Sequence, residues 1–150
     1  MAAAVRVWDE MSDSTKDLLF AALDYAVENA GISEYGFTPF SIRGKSDGTR
    51  GLTRFVAGDD LAESVRAGRK ALEVVPEGTV AVTLAWDGYT TYEGQRTEAV
   101  FVEAHEISLA KSVLLAQRYL RVDGKVETLG NPIVQGETDP LVRAVSVEES

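Results

Sequence analysis

The stretch from Thr79 to Glu106, TVAVTLAWDGYTTYEGQRTEAVFVEAHE, decides the fold. In its first half, every second residue is apolar and points to the same side, which is the period of two that is typical of a strand. Glu93-Gly94 has the composition of a hairpin turn, and the pattern resumes through Thr97 to Glu106. The sequence therefore predicts one long β-hairpin. The residues predicted to share one side of its first strand are Val80, Val82, Leu84 and Trp86.

Two helices are predicted before this hairpin. The first spans about residues 12–30, because Ser12 can cap its start and Gly31 follows its end. The second begins at Asp59 or Asp60 and continues to about Val75. Each has an apolar stripe at three- and four-residue spacing, so each is expected to pack against a sheet.

Four shorter strands complete the predicted sheet. Residues 40–43 and 52–56 form one hairpin, and residues 111–122 and 125–129 form another through a tight turn. The resulting order is α-β-β-α-β-β-β-β, without a regular β-α-β alternation. We therefore predict an α+β fold with a mostly antiparallel sheet of about six strands, and with both helices packed on one face.

Composition and charge limit the class of protein. The 150 residues carry a net charge of −9, which disfavours general binding to nucleic acid or to anionic lipid. The apolar runs are far shorter than the roughly 18 residues of a membrane span. The chain has no cysteine, which excludes disulfides and thiolate metal sites and suits a cytoplasmic location. We expect a soluble cytoplasmic protein.

The chain ends in an acidic segment. Residues 137–150 contain four acids and one base, and charged chain ends of this kind are commonly solvated. We therefore assign residues 1–136 to a single α+β domain and predict that residues 137–150 form a flexible acidic tail.

His105 is the only histidine and lies two residues after Glu103. The strand period predicts that the two side chains share a face, where they could bind a metal or transfer a proton. Asp87, Glu93 and Glu98 could likewise form an acid-base pair on the same hairpin. The alternative is that all of these are structural or solvated residues. Because no Gly-x-Ser-x-Gly turn or second histidine accompanies them, we predict no catalytic residue, metal or cofactor, and leave enzymatic activity open.

Aromatic residues gather on the later strands. Such residues line ligand pockets and anchor interfaces, and their alternative role is to fill the core. Glu103 and His105 would edge the same pocket. The aromatic candidates are Trp86, Tyr89, Tyr92, Phe101 and Tyr119.

The first strand pair carries a concentration of basic residues. Arg43, Lys45, Arg50 and Arg54 stand against Asp47 alone. This basic patch could bind an acidic partner, a phosphorylated small molecule or the acidic tail. The alternative is an ordinary charged strand edge.

Three functions remain open from the sequence. The leading hypothesis is a non-enzymatic protein-interaction module, acting as a homodimer or with a protein partner, because two helices would leave an apolar side of six strands uncovered. The alternative is a small-molecule-binding protein or enzyme with a pocket between helices and sheet near Trp86, Tyr119 and His105. A third hypothesis, an inhibitor that mimics nucleic acid, depends on acidity alone.

Overall fold

The computed structural model describes residues 6–33, 36–58 and 60–146. Over these ranges the chain forms three helices and nine strands. The helices are α1 (Arg6–Glu10), α2 (Asp13–Ile32) and α3 (Leu61–Leu72). The strands are β1 (Phe40–Lys45), β2 (Arg50–Arg54), β3 (Val74–Pro76), β4 (Thr79–Tyr92), β5 (Gln95–Glu106), β6 (Ser112–Val122), β7 (Lys125–Thr128), β8 (Ile133–Thr138) and β9 (Ala144–Ser146).

The predicted N-terminal helix caps are found in the structure, whereas α2 continues through Gly31, its predicted end, to Ile32. The Ser12 Oγ accepts the Thr15 N–H at 3.2 Å and starts α2, while the Asp60 carboxylate accepts the Glu63 N–H at 2.7 Å and starts α3. Each bond satisfies a backbone donor that the first helical turn leaves without a partner. α3 ends at Leu72, earlier than predicted, because the next residues enter β3. None of the described helices is long and apolar enough to cross a membrane.

The main sheet confirms the predicted α+β fold with mostly antiparallel strands. Its strand order is β2-β1-β4-β5-β6-β7, and β8 pairs with β6 beside β7. β4 and β5 pair along their whole length and close at Glu93-Gly94. Both turn residues have positive φ, 51° and 79°, as the tight turns of two-residue hairpins require. A separate parallel pair joins β3 to β9.

The two long helices lie on opposite faces of this sheet, whereas the sequence predicted them on one face. In β4, Leu84 and its neighbour Ala85 point to opposite sides, and both are fully buried. α2 packs on the side of Ala85. α3 packs on the side of Leu84, where a Cβ added to Gly68 would lie 2.9 Å from the Leu84 Cδ1. The prediction failed because both sides of β4 are apolar and each requires its own cover.

The C-terminal segment belongs to the fold as far as Ser146. Leu141 and Val142 are buried on the α3 side of the sheet, and β9 is bonded to β3. The Leu141 N–H also donates to the Ser112 Oγ at 3.0 Å. Residues 137–146 are thus not the flexible extension that was expected. Residues 147–150 of the predicted tail lie outside the described residues.

Candidate functional site

Two hairpins of the sheet separate from each other and leave a cleft. The β5–β6 pairing ends at Ala99 opposite Arg118. Beyond that pair, β5 continues over Gln95–Glu98 bonded only to β4, and β6 continues over Tyr119–Val122 bonded only to β7, among the described residues. The cleft between these two segments has a volume of about 810 Å³. We call it the hairpin cleft.

Helix α2 contacts the β6–β7 hairpin on one side of the cleft. The Arg121 Nη1 donates to the carbonyl oxygen of Ala30 at 2.7 Å, near the end of α2. Val126 of β7 lies beside Gly31, the next residue of the helix. The β6–β7 hairpin is therefore bonded to α2 and packed against it.

A buried polar cluster joins the hairpins below the cleft. The Tyr119 hydroxyl donates to the Asp87 Oδ1 at 2.7 Å, and the Arg121 guanidinium lies 3.6 Å from Glu98 and 4.0 Å from Asp87. Burial raises the pKa of Asp87, and the Tyr119 hydrogen bond and the Arg121 charge offset only part of that rise. Burial and the bond to Asp87 also raise the pKa of Tyr119. The hydroxyl therefore stays a donor at neutral pH.

Tyrosine and arginine side chains form the walls of the cleft. The Arg96 guanidinium lies 4.2 Å from the ring centroid of Tyr89, and the Arg118 guanidinium lies 3.7 Å from that of Tyr92. Tyr89 is 57% exposed. Among the described residues, neither arginine is ion-paired with a carboxylate. The Arg118 Nε is buried and lacks a hydrogen-bond partner there. The cleft thus combines exposed tyrosine rings with two arginines that are in no ion pair of the described residues.

The predicted histidine is held by the backbone on both sides of its ring. The Val142 N–H donates to the His105 Nδ1 at 3.1 Å, so the proton lies on Nε2, which donates to the Leu109 carbonyl at 2.9 Å. Burial lowers the pKa of His105. The residue is 2% exposed, and its two nitrogens are occupied, so the geometry is that of a structural histidine.

We predict that His105 makes the protein less stable in weak acid. Below about pH 6.5 the unfolded chain binds a proton that the folded ring excludes, so the free energy of unfolding falls as pH falls. The expected slope is at most about 1.4 kcal/mol per pH unit. Urea unfolding of the wild type and His105→Asn between pH 7.5 and 5.5 measures it. Equal slopes in the two proteins would contradict the assignment.

Glu103 shares the face of His105, as the strand period predicted. The Arg69 Nη1 lies 2.6 Å from the Glu103 Oε1, and the Thr138 hydroxyl donates to its Oε2 at 2.7 Å. The Glu103 side chain is 2% exposed. Its carboxylate thus ties α3 to the sheet through an ion pair at Oε1, and β8 through a hydrogen bond at Oε2.

The aromatic candidates are divided between the two faces. Trp86 and Phe101 stack at 5.6 Å between ring centroids on the α3 side, with Arg69 over Trp86. Tyr119 belongs to the core on the α2 side. No cavity of the described residues is lined by Trp86, Tyr119 and His105 together. Of the aromatic candidates, Tyr89, Tyr92 and Tyr119 line the hairpin cleft.

The basic patch is only partly brought together. Lys45 and Arg50 line one cavity, whereas Arg54 donates to the Tyr25 hydroxyl on α2. Arg43 is half-buried and projects from the other side of β1, since the adjacent Gly44 faces α2. The four residues therefore do not form a single binding surface.

The cavity at Lys45 and Arg50 lies beside the start of α2 and has a volume of about 480 Å³. The Glu106 carboxylate there accepts from the Ser12 N–H at 2.9 Å and from the Thr15 hydroxyl at 2.5 Å. Burial opposes ionisation of Glu106, but these hydrogen bonds together lower its pKa. A protein carboxylate thus already satisfies the positive end of this helix.

The sequence did not indicate the cleft arginines. Arg96, Arg118 and Arg121 became candidates only once the end of the β5–β6 pairing was known, and no local pattern marks that end. Asp87 and Glu98 were considered as an acid-base pair, and the structure places both next to Arg121.

No metal site is formed within residues 6–33, 36–58 and 60–146, where no three acidic or histidine side chains are grouped to hold an ion. The hairpin cleft is the largest cavity described above, and its Arg96 and Arg118 are in no ion pair of the described residues. Comparison with protein-family models, curated proteins and solved structures gave no match to this chain.

Proposed function

We propose that this chain is a non-enzymatic interaction domain that binds an extended segment of a protein partner in the hairpin cleft. The observation that carries the proposal is the end of the β5–β6 pairing at Ala99 and Arg118, after which both strands continue for four residues. Unpaired strand edges bind extended peptides through main-chain hydrogen bonds. The cleft offers two such edges that face each other, residues 95–98 of β5 and residues 119–122 of β6.

The orientation of the backbone supports this mode of binding. The two-residue turn sets the Gln95 N–H against the carbonyl of Tyr92. Since donor directions alternate along a strand, the Arg96 N–H points away from β4 and toward the cleft. A bound segment can accept this bond without displacing a strand of the protein.

The side chains of the cleft support a protein partner. Tyrosine and arginine are enriched among the residues that dominate binding energy at interfaces. Tyr89 and Tyr92 are exposed and lose little side-chain entropy on binding. The absence of cysteine also supports action in the cytoplasm, which we propose as its location.

The other hypotheses have less support. Homodimerisation was argued from an uncovered apolar sheet face, and α3 with Leu141 and Val142 now lies on that face. The pocket expected for a small molecule between Trp86, Tyr119 and His105 has no counterpart among the described cavities. We therefore propose a separate protein as the partner.

The test uses random 12-residue peptides displayed on phage and selected on the whole protein. Selected peptides are then measured against Arg96→Pro and Arg96→Ala. Both variants lose the arginine side chain, but only proline removes the N–H, and proline is tolerated at such an edge position. We expect Arg96→Pro to bind about fivefold more weakly than Arg96→Ala, since one net hydrogen bond contributes roughly 1 kcal/mol.

Amide hydrogen exchange checks the location. Bound peptide should slow exchange within residues 95–98 and 119–122 more than elsewhere on β5 and β6. Equal melting temperatures of the two Arg96 variants serve as the folding control. Equal affinities, or protection confined to other strands, would refute binding in the hairpin cleft.

A further inference from the structure

We infer that Arg118 is the anchor for a carboxylate of the bound segment, so that the partner presents an acidic side chain in an extended stretch. This inference rests on the proposed function and specifies the chemistry that the hairpin cleft selects. Main-chain pairing alone would accept almost any partner sequence. Arg118, which lies where β5 and β6 part, adds the requirement that the partner carries an acidic residue.

Arg118 is fixed in place before any partner binds. The ring of Tyr92 covers one side of its guanidinium at 3.7 Å from the ring centroid. On another side it borders Gly130, where an added Cβ would lie 3.4 Å from the Arg118 Nη2. Its backbone carbonyl accepts the Leu129 N–H at 2.9 Å. A cation held in this way loses little freedom when it binds an anion.

The Arg118 guanidinium also lacks the hydrogen-bonded anion that a partly buried guanidinium normally has. The Nε is buried without a hydrogen bond, and no ion pair to Arg118 is formed within the described residues. Buried polar groups in folded proteins are nearly always bonded, so an exception points to a missing partner. Arg118 as a whole is only partly buried and lines the inner end of the cleft, so a bound segment can reach the other nitrogens of the guanidinium.

The acidic residues of the cleft do not form an ion pair with Arg118. Glu98 is paired with Arg121 at 3.6 Å, on the α2 side. Glu93 lies at the turn of the β4–β5 hairpin, with a φ of 51°, and it is in no ion pair of the described residues. Arg118 is therefore in no ion pair of the described residues, in a chain of net charge −9.

The shape of the site favours a carboxylate. A guanidinium stacked on a ring offers its remaining N–H groups in one plane, which matches the two coplanar oxygens of a carboxylate. Aspartate or glutamate in the partner segment, on the side that faces Tyr92, would supply these oxygens. A phosphorylated residue is the competing source of oxyanion, and the test separates it.

The experiment is a double-mutant cycle on peptides selected against the wild-type protein. Each acidic residue of a bound peptide is changed to its amide, and affinities are measured with the wild type, Arg118→Gln and Arg118→Lys. We expect one acidic position whose amide variant binds about tenfold more weakly to the wild type and equally well to Arg118→Gln. Arg118→Lys keeps the charge and the stem, so it preserves the test if the glutamine variant is unstable. Its affinity is expected between the other two.

Arg66→Gln is the matched control, because Arg66 is an exposed arginine of α3 that does not line the hairpin cleft. Its effect is expected to be below about threefold and independent of the acidic position. If Arg96→Pro weakens binding but no acidic position couples to Arg118, the inference fails and the proposed function stands. If Arg96→Pro has no effect, the proposed function itself fails. Tighter binding when phosphoserine replaces the acidic residue, by tenfold or more, would assign the site to phosphate instead.

Discussion

Replacing Arg69 by methionine is expected to lower the free energy of unfolding by about 3 kcal/mol. The change leaves the Glu103 carboxylate, with 2% of its side chain exposed, without its cation. Removing one partner of a buried ion pair costs roughly 3 to 5 kcal/mol, because the remaining charge stays desolvated. The lower end applies here, since the Arg69 side chain is 42% exposed and water can reach the site.

Two controls test whether the loss of stability comes from the unpaired Glu103 carboxylate or from the removal of any arginine from α3. Arg66→Met removes an exposed arginine of the same helix and should change stability by less than about 0.5 kcal/mol. The double variant Arg69→Met, Glu103→Gln removes the charge but keeps an acceptor for Thr138, and should recover at least half of the loss. Urea unfolding at pH 7 measures all three. Similar losses for Arg66→Met and Arg69→Met would contradict the buried-charge argument.

Tyr119→Phe is expected to cost about 1 to 3 kcal/mol at pH 7. It removes the hydroxyl that donates to Asp87 at 2.7 Å and leaves a buried acceptor without that bond. The pKa of Asp87 should rise further, because the hydrogen bond now lowers it. Tyr89→Phe is the matched control, since Tyr89 is 57% exposed and no hydrogen bond of its hydroxyl is formed within the described residues.

We also expect the wild type and Tyr119→Phe to differ in how their stability changes in alkaline solution. The pKa of Tyr119 is raised in the folded state, so above about pH 10 the unfolded chain loses a proton that the folded chain keeps. The stability from this tyrosine is therefore present below pH 10 and is lost as pH rises. The advantage of the wild type over Tyr119→Phe should shrink by at most about 1.4 kcal/mol per pH unit. A constant difference from pH 8 to 11 would rule this out.

Local signals made most of the fold predictable. The Glu93-Gly94 turn, the caps at Ser12 and Asp60 and the alternation along β4 each act over a few residues. The helix placement was not predictable in this way. Ala85 is small and was not among the residues predicted to share the apolar side of the strand with Leu84, yet the structure packs α2 against it. Small residues allow close packing, which a count of large apolar side chains misses.

The candidate site depended on contacts between distant parts of the chain. Glu103 and His105 do share a face, but their role follows from Arg69, Thr138 and Val142, which lie far away in sequence. A glutamate and a histidine two residues apart on a strand have the same spacing whether they bind a metal, act in catalysis or are hydrogen-bonded within the core. The spacing therefore cannot distinguish these roles. The hairpin cleft was likewise hidden, because only the pairing of β5 with β6, and its end at Arg118, creates it.

The parallel pair β3–β9 joins residues 74–76 to residues 144–146. During synthesis, the ribosome makes β3 about 70 residues before β9, so this part of the domain cannot form until β9 has emerged. Until then, Leu72 and Val75 lack the cover that Leu141 and Val142 later provide. The nascent protein thus exposes this apolar surface from the synthesis of β3 until residues 141–146 have left the ribosome.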